Sequence, residues 1–338
     1  MKTNDTWGIV GHEWAVALLR RAVARGDVSH AYLFTGPPGV GKTTLARALA
    51  AALLCQAEGD GEGIPCGTCR ACRLVASGNH LDLHIVESER VGANLKIDQV
   101  RGLQRQLALT PNEGRWRVAI LRRFEEATTS AANALLKTLE EPPPYVVLAV
   151  LASDTDRLLP TIVSRCQQVP LRPLPVPAVQ QALVERWNAE PEQAELLAHL
   201  SGGRLGWAVH TLTDRKALQR RAQRLDDLDH LLGVSITERF RYAEKLARDP
   251  VATQETLDLW IGWWRDVLLL AAGADAPLTN VDRQGGAVAA PLRDQARRFG
   301  VERSASVVKA LRSAAERLKR NANARLTLEV LMLDLPRP

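Results

Sequence analysis

The chain has 338 residues, of which 46% are hydrophobic and 24% charged, with a formal net charge of +6. This length exceeds what one hydrophobic core ordinarily serves, so two or three domains are expected. No apolar run reaches the roughly 18 residues of a membrane-spanning helix, and the polar N-terminus has no apolar signal segment. We therefore expect a cytoplasmic protein with no membrane partner. Its basic charge suits a nucleic-acid neighbour and, equally well, solvated helix faces.

Residues 1 to about 166 alternate strand-like and helical segments. Apolar runs predict four strands, at His30–Phe34, Leu83–Val86, Arg117–Leu121 and Tyr145–Leu151. Helices are predicted at Leu45–Leu54, Asp98–Leu107 and Ser130–Leu139. Strands separated by helices indicate an α/β fold with a largely parallel sheet.

The pattern changes at Val169–Pro177, which contains four prolines and predicts an extended linker. Helical periodicity follows, first in a small unit that ends near Thr213. A longer helical region then continues, interrupted around residues 272 to 290 by a stretch rich in Gly, Ala and Pro. The predicted domains are therefore residues 1–168, 169–213 and 214–338.

A phosphate-binding motif follows the first predicted strand. The segment Gly36-Pro37-Pro38-Gly39-Val40-Gly41-Lys42-Thr43 matches G-x-x-x-x-G-K-[ST]. Glycines let successive amides point at phosphate oxygens, the lysine reaches the β- and γ-phosphates, and the threonine hydroxyl binds Mg²⁺. We predict that ATP or ADP with Mg²⁺ is bound by Gly36, Gly39, Gly41, Lys42, Thr43 and Thr44. The alternative is a glycine-rich turn without a ligand.

Hydrolysis also needs an acidic pair at the end of a neighbouring strand. The strand Arg117–Leu121 is followed instead by Arg122 and Arg123. A guanidinium can neither bind Mg²⁺ nor accept a proton. The sequence therefore predicts nucleotide binding without hydrolysis. The alternative is that Glu125 or Glu126, just beyond the strand, supplies the missing carboxylate.

Four of the five cysteines form a cluster between residues 55 and 72. Cys66, Cys69 and Cys72 follow a C-x-x-C-x-x-C pattern, and Cys55 lies eleven residues upstream. Four thiolates suit a structural Zn²⁺ site, with the chain between residues 56 and 65 forming a loop that returns to it. An iron–sulfur cluster or free buried thiols are the alternatives. The nearby His80 and His84 are interpreted as fold residues.

Together these segments resemble a known family, the clamp-loader subunits of bacterial DNA polymerase III in the AAA+ superfamily. The cysteine insertion after the phosphate-loop helix is characteristic of its gamma/tau and delta-prime types. The other similar segments are Ser29–Gly36, Ala132–Pro143, the Ser164-Arg165-Cys166 motif and Asn321–Leu326.

The resemblance implies an AAA+ domain with a zinc module at residues 55–72, a small helical lid and an all-α collar that oligomerises. It also implies a five-subunit machine that uses ATP to load a sliding clamp onto primer-template DNA. Partners would be the gamma/tau and delta subunits. Arg122 and Arg123 fit the delta-prime type, the stator, better than the gamma/tau motor. In that type the arginine matching Arg165 acts on a neighbour's nucleotide.

Ser153 and Trp207 fall where the family places its two sensor residues. We interpret Trp207 as packing in the lid core, and Trp260, Trp263 and Trp264 as packing between collar helices. Two other functions remain open at this stage. One is an active ATPase of the gamma type, and the other is a separate DNA-binding switch that depends on nucleotide and zinc.

Overall fold

The computed structural model describes residues 7–57, 65–214, 216–281, 290–320 and 322–337. These form two compact units. The first runs to Leu174 and includes Arg204–Gly206, and the second comprises Pro175–Gly203 and the chain from Trp207 onward. Most of the predicted loop between the first two cluster cysteines lies outside the described residues, as do Asn321 and residues 282–289 of the predicted interruption.

The first unit is a five-stranded sheet with helices between its strands. Its elements in chain order are α1 (Glu13–Arg25), β1 (Ala31–Thr35), α2 (Lys42–Leu54), α3 (Arg70–Ser77), β2 (Leu83–Val86), α4 (Ile97–Leu107), β3 (Arg117–Leu121), α5 (Thr129–Glu140), β4 (Val146–Ala152), α6 (Pro160–Val163) and β5 (Gln167–Pro170). The strand order is β2-β3-β4-β1-β5, and every pairing is parallel. All strands therefore end at the same edge.

Every residue of β1, β3 and β4 is buried, which explains their continuous apolar sequences. Successive side chains point to opposite faces of the sheet. Tyr32 and Phe34 of β1 belong to a core with α1 and α2, and Ala31 and Leu33 to a core with α4 and α5. The sheet thus has two covered faces, and its carboxyl edge is left for loops.

The four predicted strands and three predicted helices are confirmed to within about three residues at their ends. The predicted linker is wrong in two places. Its first two residues belong to β5, an edge strand of which only Val169 is buried. Pro170 is accepted there because an edge strand need not use every amide. The linker's last two residues start a helix, in which Pro177 occupies the first turn, where proline costs no hydrogen bond.

The chain after β5 is helical. Its elements are α7 (Val176–Trp187), α8 (Pro191–Ser201), α9 (Leu205–Thr213), α10 (Ala217–Gly233), α11 (Ile236–Leu246), α12 (Pro250–Ala271), α13 (Ala290–Lys319) and α14 (Ala324–Asp334). Helix α13 is kinked at Gly300, whose φ of 64° favours glycine. In the parts of the chain that the structure describes, no helix has the length and apolar character needed to cross a membrane.

Buried tryptophans organise the core of α10 to α14. Trp260, Trp263 and Trp264 are all buried there, which confirms that they are packing residues. The indole N–H of Trp260 donates to the Arg224 carbonyl at 2.9 Å, and that of Trp263 to the Gln295 side chain at 2.8 Å. These bonds satisfy polar groups that burial would otherwise leave unpaired.

A buried ion pair connects the loop before β3 to the start of β2. Asp82 Oδ1 lies 3.1 Å from Arg117 Nη2, and both side chains are almost fully buried. The Asp82 carboxylate also accepts the amides of Asn112 and Glu113, each at 2.8 Å. Arg117 donates to the Thr110 carbonyl at 2.8 Å. This network fixes the loop at the sheet's outer strand.

Replacing Asp82 by asparagine should lower the free energy of unfolding of the first unit by about 3 kcal/mol, because the buried Arg117 loses its counter-charge. Urea denaturation followed by circular dichroism measures the change. The matched control is Asp154→Asn, at an exposed position, which should change stability by less than about 0.5 kcal/mol. Equal losses in the two variants would contradict the importance of the buried pair.

The same pair predicts a pH dependence. Burial pushes the pKa of Asp82 up, but the Asn112 and Glu113 amides and Arg117 together lower it below its usual value. A depressed folded-state pKa gives stability that is present above the unfolded-state pKa and lost as pH falls below it. Stability should therefore fall more steeply below about pH 4 in the parent chain than in Asp82→Asn. Parallel stability curves would contradict this assignment.

Candidate nucleotide and metal sites

The phosphate loop runs from the end of β1 into the first turn of α2. It brings together all six predicted phosphate-binding residues: Gly36, Gly39, Gly41, Lys42, Thr43 and Thr44. The three glycines have φ values of 138°, 82° and 115°, in the left-handed region. The first amides of a helix have no intrahelical carbonyl to bind. In α2 the Leu45 amide donates to the Gly41 carbonyl at 3.0 Å, and the amides before it belong to the helix start. These free donors and the helix dipole favour an anion.

The loop is packed tightly against the chain that follows β5. A Cβ atom added to Gly36 would lie 2.3 Å from the carbonyl oxygen of Leu171. Leu171 cannot easily retreat, because its amide donates to the Thr35 carbonyl at 2.7 Å. On the other side, His12 Nε2 lies 3.1 Å from the Val40 carbonyl oxygen, to which it can donate a hydrogen bond. These contacts fix the shape of the loop.

The Lys42 ammonium lies across the loop. Its Nζ donates to the carbonyls of Gly36, at 2.5 Å, and Pro37, at 3.1 Å. Burial lowers the pKa of Lys42 to about 8, and the negative charge of Glu125 acts in the opposite direction. A pKa near 8 leaves the group mostly protonated at neutral pH, as phosphate binding requires.

The end of β3 carries guanidinium groups in place of carboxylates. Arg122 and Arg123 each form an ion pair with Glu87, which follows β2, at 3.1 and 2.8 Å. Arg123 also donates to the backbone carbonyl and the hydroxyl of Ser88, both at 3.0 Å. Because a guanidinium has no acceptor, neither arginine can bind a cation or take a proton.

Glu125 and Glu126 follow in a single 3₁₀ turn and have different surroundings. Glu126 accepts bonds from Arg123 Nε at 3.0 Å, from the Gly92 amide at 2.9 Å and from the Ser88 hydroxyl. Glu125 Oε1 accepts the Ser153 amide at 3.1 Å, while its Oε2 is buried with no hydrogen-bond partner among the described residues. Only Glu125 therefore has an uncommitted oxygen.

Arg165 lies on the surface of the first unit, after α6. Its guanidinium donates to the Thr161 carbonyl at 3.0 Å and lies 2.9 Å from Glu140 Oε1. The side chain is 37% exposed. It thus has an ion-pair partner in its own chain and an accessible face.

The four clustered cysteines come together as the sequence predicts. All four Sγ atoms lie within 4.8 Å of one another. The Cys55–Cys69 and Cys66–Cys72 sulfur distances are 4.0 and 3.9 Å. Zinc–sulfur bonds of about 2.3 Å in a tetrahedron place the sulfurs about 3.8 Å apart. The group could therefore hold one metal ion.

Backbone amides donate to three of these sulfurs. The amides of Cys66, Cys69 and Cys72 donate to the sulfurs of Cys55, Cys66 and Cys69 at 3.4, 3.2 and 3.4 Å. Such bonds lower the pKa of Cys66 to about 6, whereas burial raises the pKa of Cys72. Amide donors stabilise thiolates, the form of cysteine that binds metals.

Glu113 connects the cysteine module to the sheet. Its carboxylate lies 2.5 Å from Arg70 Nη1 and accepts the Gln56 side-chain amide at 3.0 Å. His80 lies outside the cysteine group, and its Nδ1 accepts the Asp82 amide at 3.1 Å. This confirms His80 as a fold residue.

Three residues that shape these sites were not found from the sequence. Glu87 and Glu113 bind arginines 35 and 43 residues away, and Leu171 packs on the phosphate loop from beyond β5. Of these three, only the position of Glu87 could have been predicted, because it directly follows β2, the strand that pairs with β3. The other two depend on contacts that local patterns do not encode.

These features are a parallel sheet, a loop with the phosphate-binding sequence motif and four cysteines that could hold a metal ion. A family model described as "DNA polymerase III, delta subunit" matches residues 11–175. The chain is 31% identical to DNA polymerase III subunit delta-prime of Bacillus subtilis, over 94% of each protein. It therefore belongs to the family of DNA polymerase III delta-prime subunits.

Other similar proteins carry the names of DNA polymerase III subunits. The chain is 39% identical to the delta-prime subunit of Pseudomonas aeruginosa, over 65% of this chain and 67% of that one. Identity to the tau subunit of Escherichia coli is 35%, over 61% of this chain and 32% of that longer protein. A solved gamma-subunit-related protein of Thermotoga maritima is 19% identical, with a TM-score of 0.42 over 94% of this chain and 96% of that one. That structural similarity is too low to refine the assignment.

Proposed function

We propose that this chain is a delta-prime-type subunit of a DNA polymerase III clamp loader that binds ATP or ADP with Mg²⁺ but does not hydrolyse it. In this role it helps load the sliding clamp onto primer-template DNA, together with gamma/tau and delta subunits. The observation that carries the proposal is the intact phosphate loop beside a strand end that carries Arg122 and Arg123. The sequence similarity to delta-prime subunits supports the same role.

Binding and hydrolysis depend on different groups of this site. Binding uses the amides at the start of α2 and the Lys42 ammonium, which in the described loop donates to the Gly36 and Pro37 carbonyls. Hydrolysis needs one carboxylate for the metal and another to polarise water. Arg122 and Arg123 stand in their place, and both form ion pairs with Glu87. When Mg²⁺-nucleotide is bound, it would supply phosphates and a metal, but no base at this position would activate water.

A gamma-type ATPase is the second candidate, and one observation favours it. Glu125 has a buried, uncommitted oxygen and its charge reaches Lys42. A single carboxylate can replace the metal ligand or the base, but not both roles at once. The gamma type therefore remains the weaker candidate.

Arg165 is the residue through which the chain would contribute to catalysis elsewhere. In this proposal its guanidinium contacts the nucleotide of an adjacent gamma/tau subunit and stabilises charge on the transferring phosphate. Its exposure of 37% is compatible with such a contact. The pair with Glu140 would hold the side chain at the surface until the neighbour is bound.

The metal of the cysteine site is proposed to be a structural Zn²⁺. Four thiolates are a common closed ligand set for zinc, and the sulfur distances of 4.0 and 3.9 Å fit a single tetrahedral ion. Glu113 contacts Arg70 and Gln56 and would thereby hold this module in place against the sheet. No catalytic step is assigned to the metal.

The isolated chain should bind a fluorescent ATP analogue yet release phosphate at a rate on the order of 10³-fold below an active relative, because the catalytic carboxylates are missing. Lys42→Ala should abolish binding, whereas Lys96→Ala, at an exposed lysine outside the loop, should not. Titration with the analogue measures binding, and a phosphate-release assay measures hydrolysis. Turnover of about one per second that disappears in Lys42→Ala would favour the gamma type instead.

Metal analysis should find one zinc per chain. Cys69→Ala should lose it, and Cys166→Ala, which removes the fifth cysteine outside the cluster, should keep it. Four-thiolate zinc sites can stabilise small metal-dependent modules by ~10 kcal/mol. Because the sheet has its own hydrophobic core, chelation of the metal should increase hydrogen exchange around the cluster without unfolding the sheet. Less than about half an equivalent of zinc, or absorption typical of iron–sulfur centres, would reject the proposal.

Arg165→Ala should leave the fold and the ATP affinity of this chain unchanged. In a reconstituted loader it should reduce DNA-stimulated ATP hydrolysis by gamma/tau on the order of 10³-fold. Arg165→Lys should rescue little, because an ammonium cannot bridge two phosphate oxygens in the same way. Glu140→Gln, the matched control, removes the ion-pair partner but keeps the guanidinium and should retain hydrolysis. Wild-type hydrolysis and clamp loading by an intact Arg165→Ala complex would show the assignment to be wrong.

A further inference from the structure

The surroundings of Glu125 are unusual for a carboxylate beside a sheet. One oxygen accepts the Ser153 amide at the end of β4, at 3.1 Å. The other, Oε2, is buried and has no hydrogen-bond partner among the described residues. A buried, unpaired carboxylate oxygen is costly, so it is retained only where something else compensates it.

The strand order places Glu125 and the phosphate loop at the same edge of the sheet, with one strand between them. Strand β4 lies between β3, which leads to Glu125, and β1, which leads to the phosphate loop. Arg123 adopts a left-handed conformation with φ 49°, and the chain turns there from the end of β3 into Glu125. The Glu125 carboxylate also interacts electrostatically with Lys42, the phosphate-binding lysine. Glu125 therefore lies at the same sheet edge as the phosphate loop, although it comes after the end of β3.

The neighbouring Glu126 provides an internal comparison. It is the same residue type in the same turn, but both of its oxygens are bound by Arg123, Ser88 and the Gly92 amide. Its charge is already compensated by Arg123. The two glutamates thus differ in availability and not in chemistry.

We infer that Glu125 is the carboxylate that makes nucleotide binding by this chain dependent on Mg²⁺. A carboxylate close to a phosphate chain repels it when no cation is present. A divalent cation with oxygen ligands from both groups converts that repulsion into attraction, and Mg²⁺ is commonly bound by one or two carboxylates plus substrate phosphates. This inference rests on the proposed nucleotide binding and assigns to Glu125 the metal-side role that Arg122 and Arg123 cannot perform.

The test compares dissociation constants of a fluorescent ATP analogue for the full chain, measured with Mg²⁺ and with a chelator. In the parent chain the affinity should be on the order of 10-fold or more higher with Mg²⁺. In Glu125→Gln this ratio should fall close to one, because metal-free binding improves and Mg²⁺ loses a ligand. Glutamine keeps an oxygen for the Ser153 amide, and thermal melting verifies that the variant is folded.

Glu126→Gln is the matched control and should show the same ratio of nucleotide affinities, with Mg²⁺ and with chelator, as the parent chain. If Glu125→Gln binds nucleotide with the parent ratio, or if Glu126→Gln lowers the ratio equally, the inference is wrong while nucleotide binding stands. Mg²⁺-independent binding by the parent chain also overturns it, without reference to any variant. If the parent chain binds no nucleotide under either condition, both the inference and the proposed nucleotide site are rejected.

Discussion

The parallel sheet imposes the constraint on which the rest of this molecule depends. Because all five strands run in one direction, their carboxyl ends meet at one edge, and the order β2-β3-β4-β1-β5 decides which loops are neighbours there. The phosphate loop after β1, the Ser153 amide after β4 and the charged turn after β3 therefore share one region. A ligand at this edge is influenced by every charge that these loops carry, which is typical of α/β sheets.

In our proposal, the charges of these loops favour nucleotide binding and do not support hydrolysis. The amides of α2 and Lys42 present positive charge for a phosphate group, and this part of the site is complete. At the end of β3, Arg122 and Arg123 occupy the positions where acidic groups are expected, and both form ion pairs with Glu87. In our proposal, such a subunit binds nucleotide without hydrolysing it. Its contribution to hydrolysis, in our proposal, is made through Arg165 at another subunit's site.

Local sequence patterns predicted the parts of the structure that depend on local chemistry. The phosphate loop and the cysteine group were found because their spacing alone determines which atoms can meet, and the buried strands because both of their faces are covered. Strand β5 was missed since its one proline and two glutamines lie at an edge, where strand pairing tolerates them. The sequence could not distinguish Glu125 from Glu126, because the difference arises from partners distant in the chain, such as Ser153.

In our proposal this chain works as one subunit of a clamp loader. Native mass spectrometry of the chain mixed with the gamma/tau and delta subunits of its own organism tests this role. We expect a stable complex that contains all three subunit types, and omission of this chain should prevent its full assembly. If the chain stays apart from both partners and instead binds DNA tightly alone, it is not a clamp-loader subunit, and an independent DNA-binding switch is favoured.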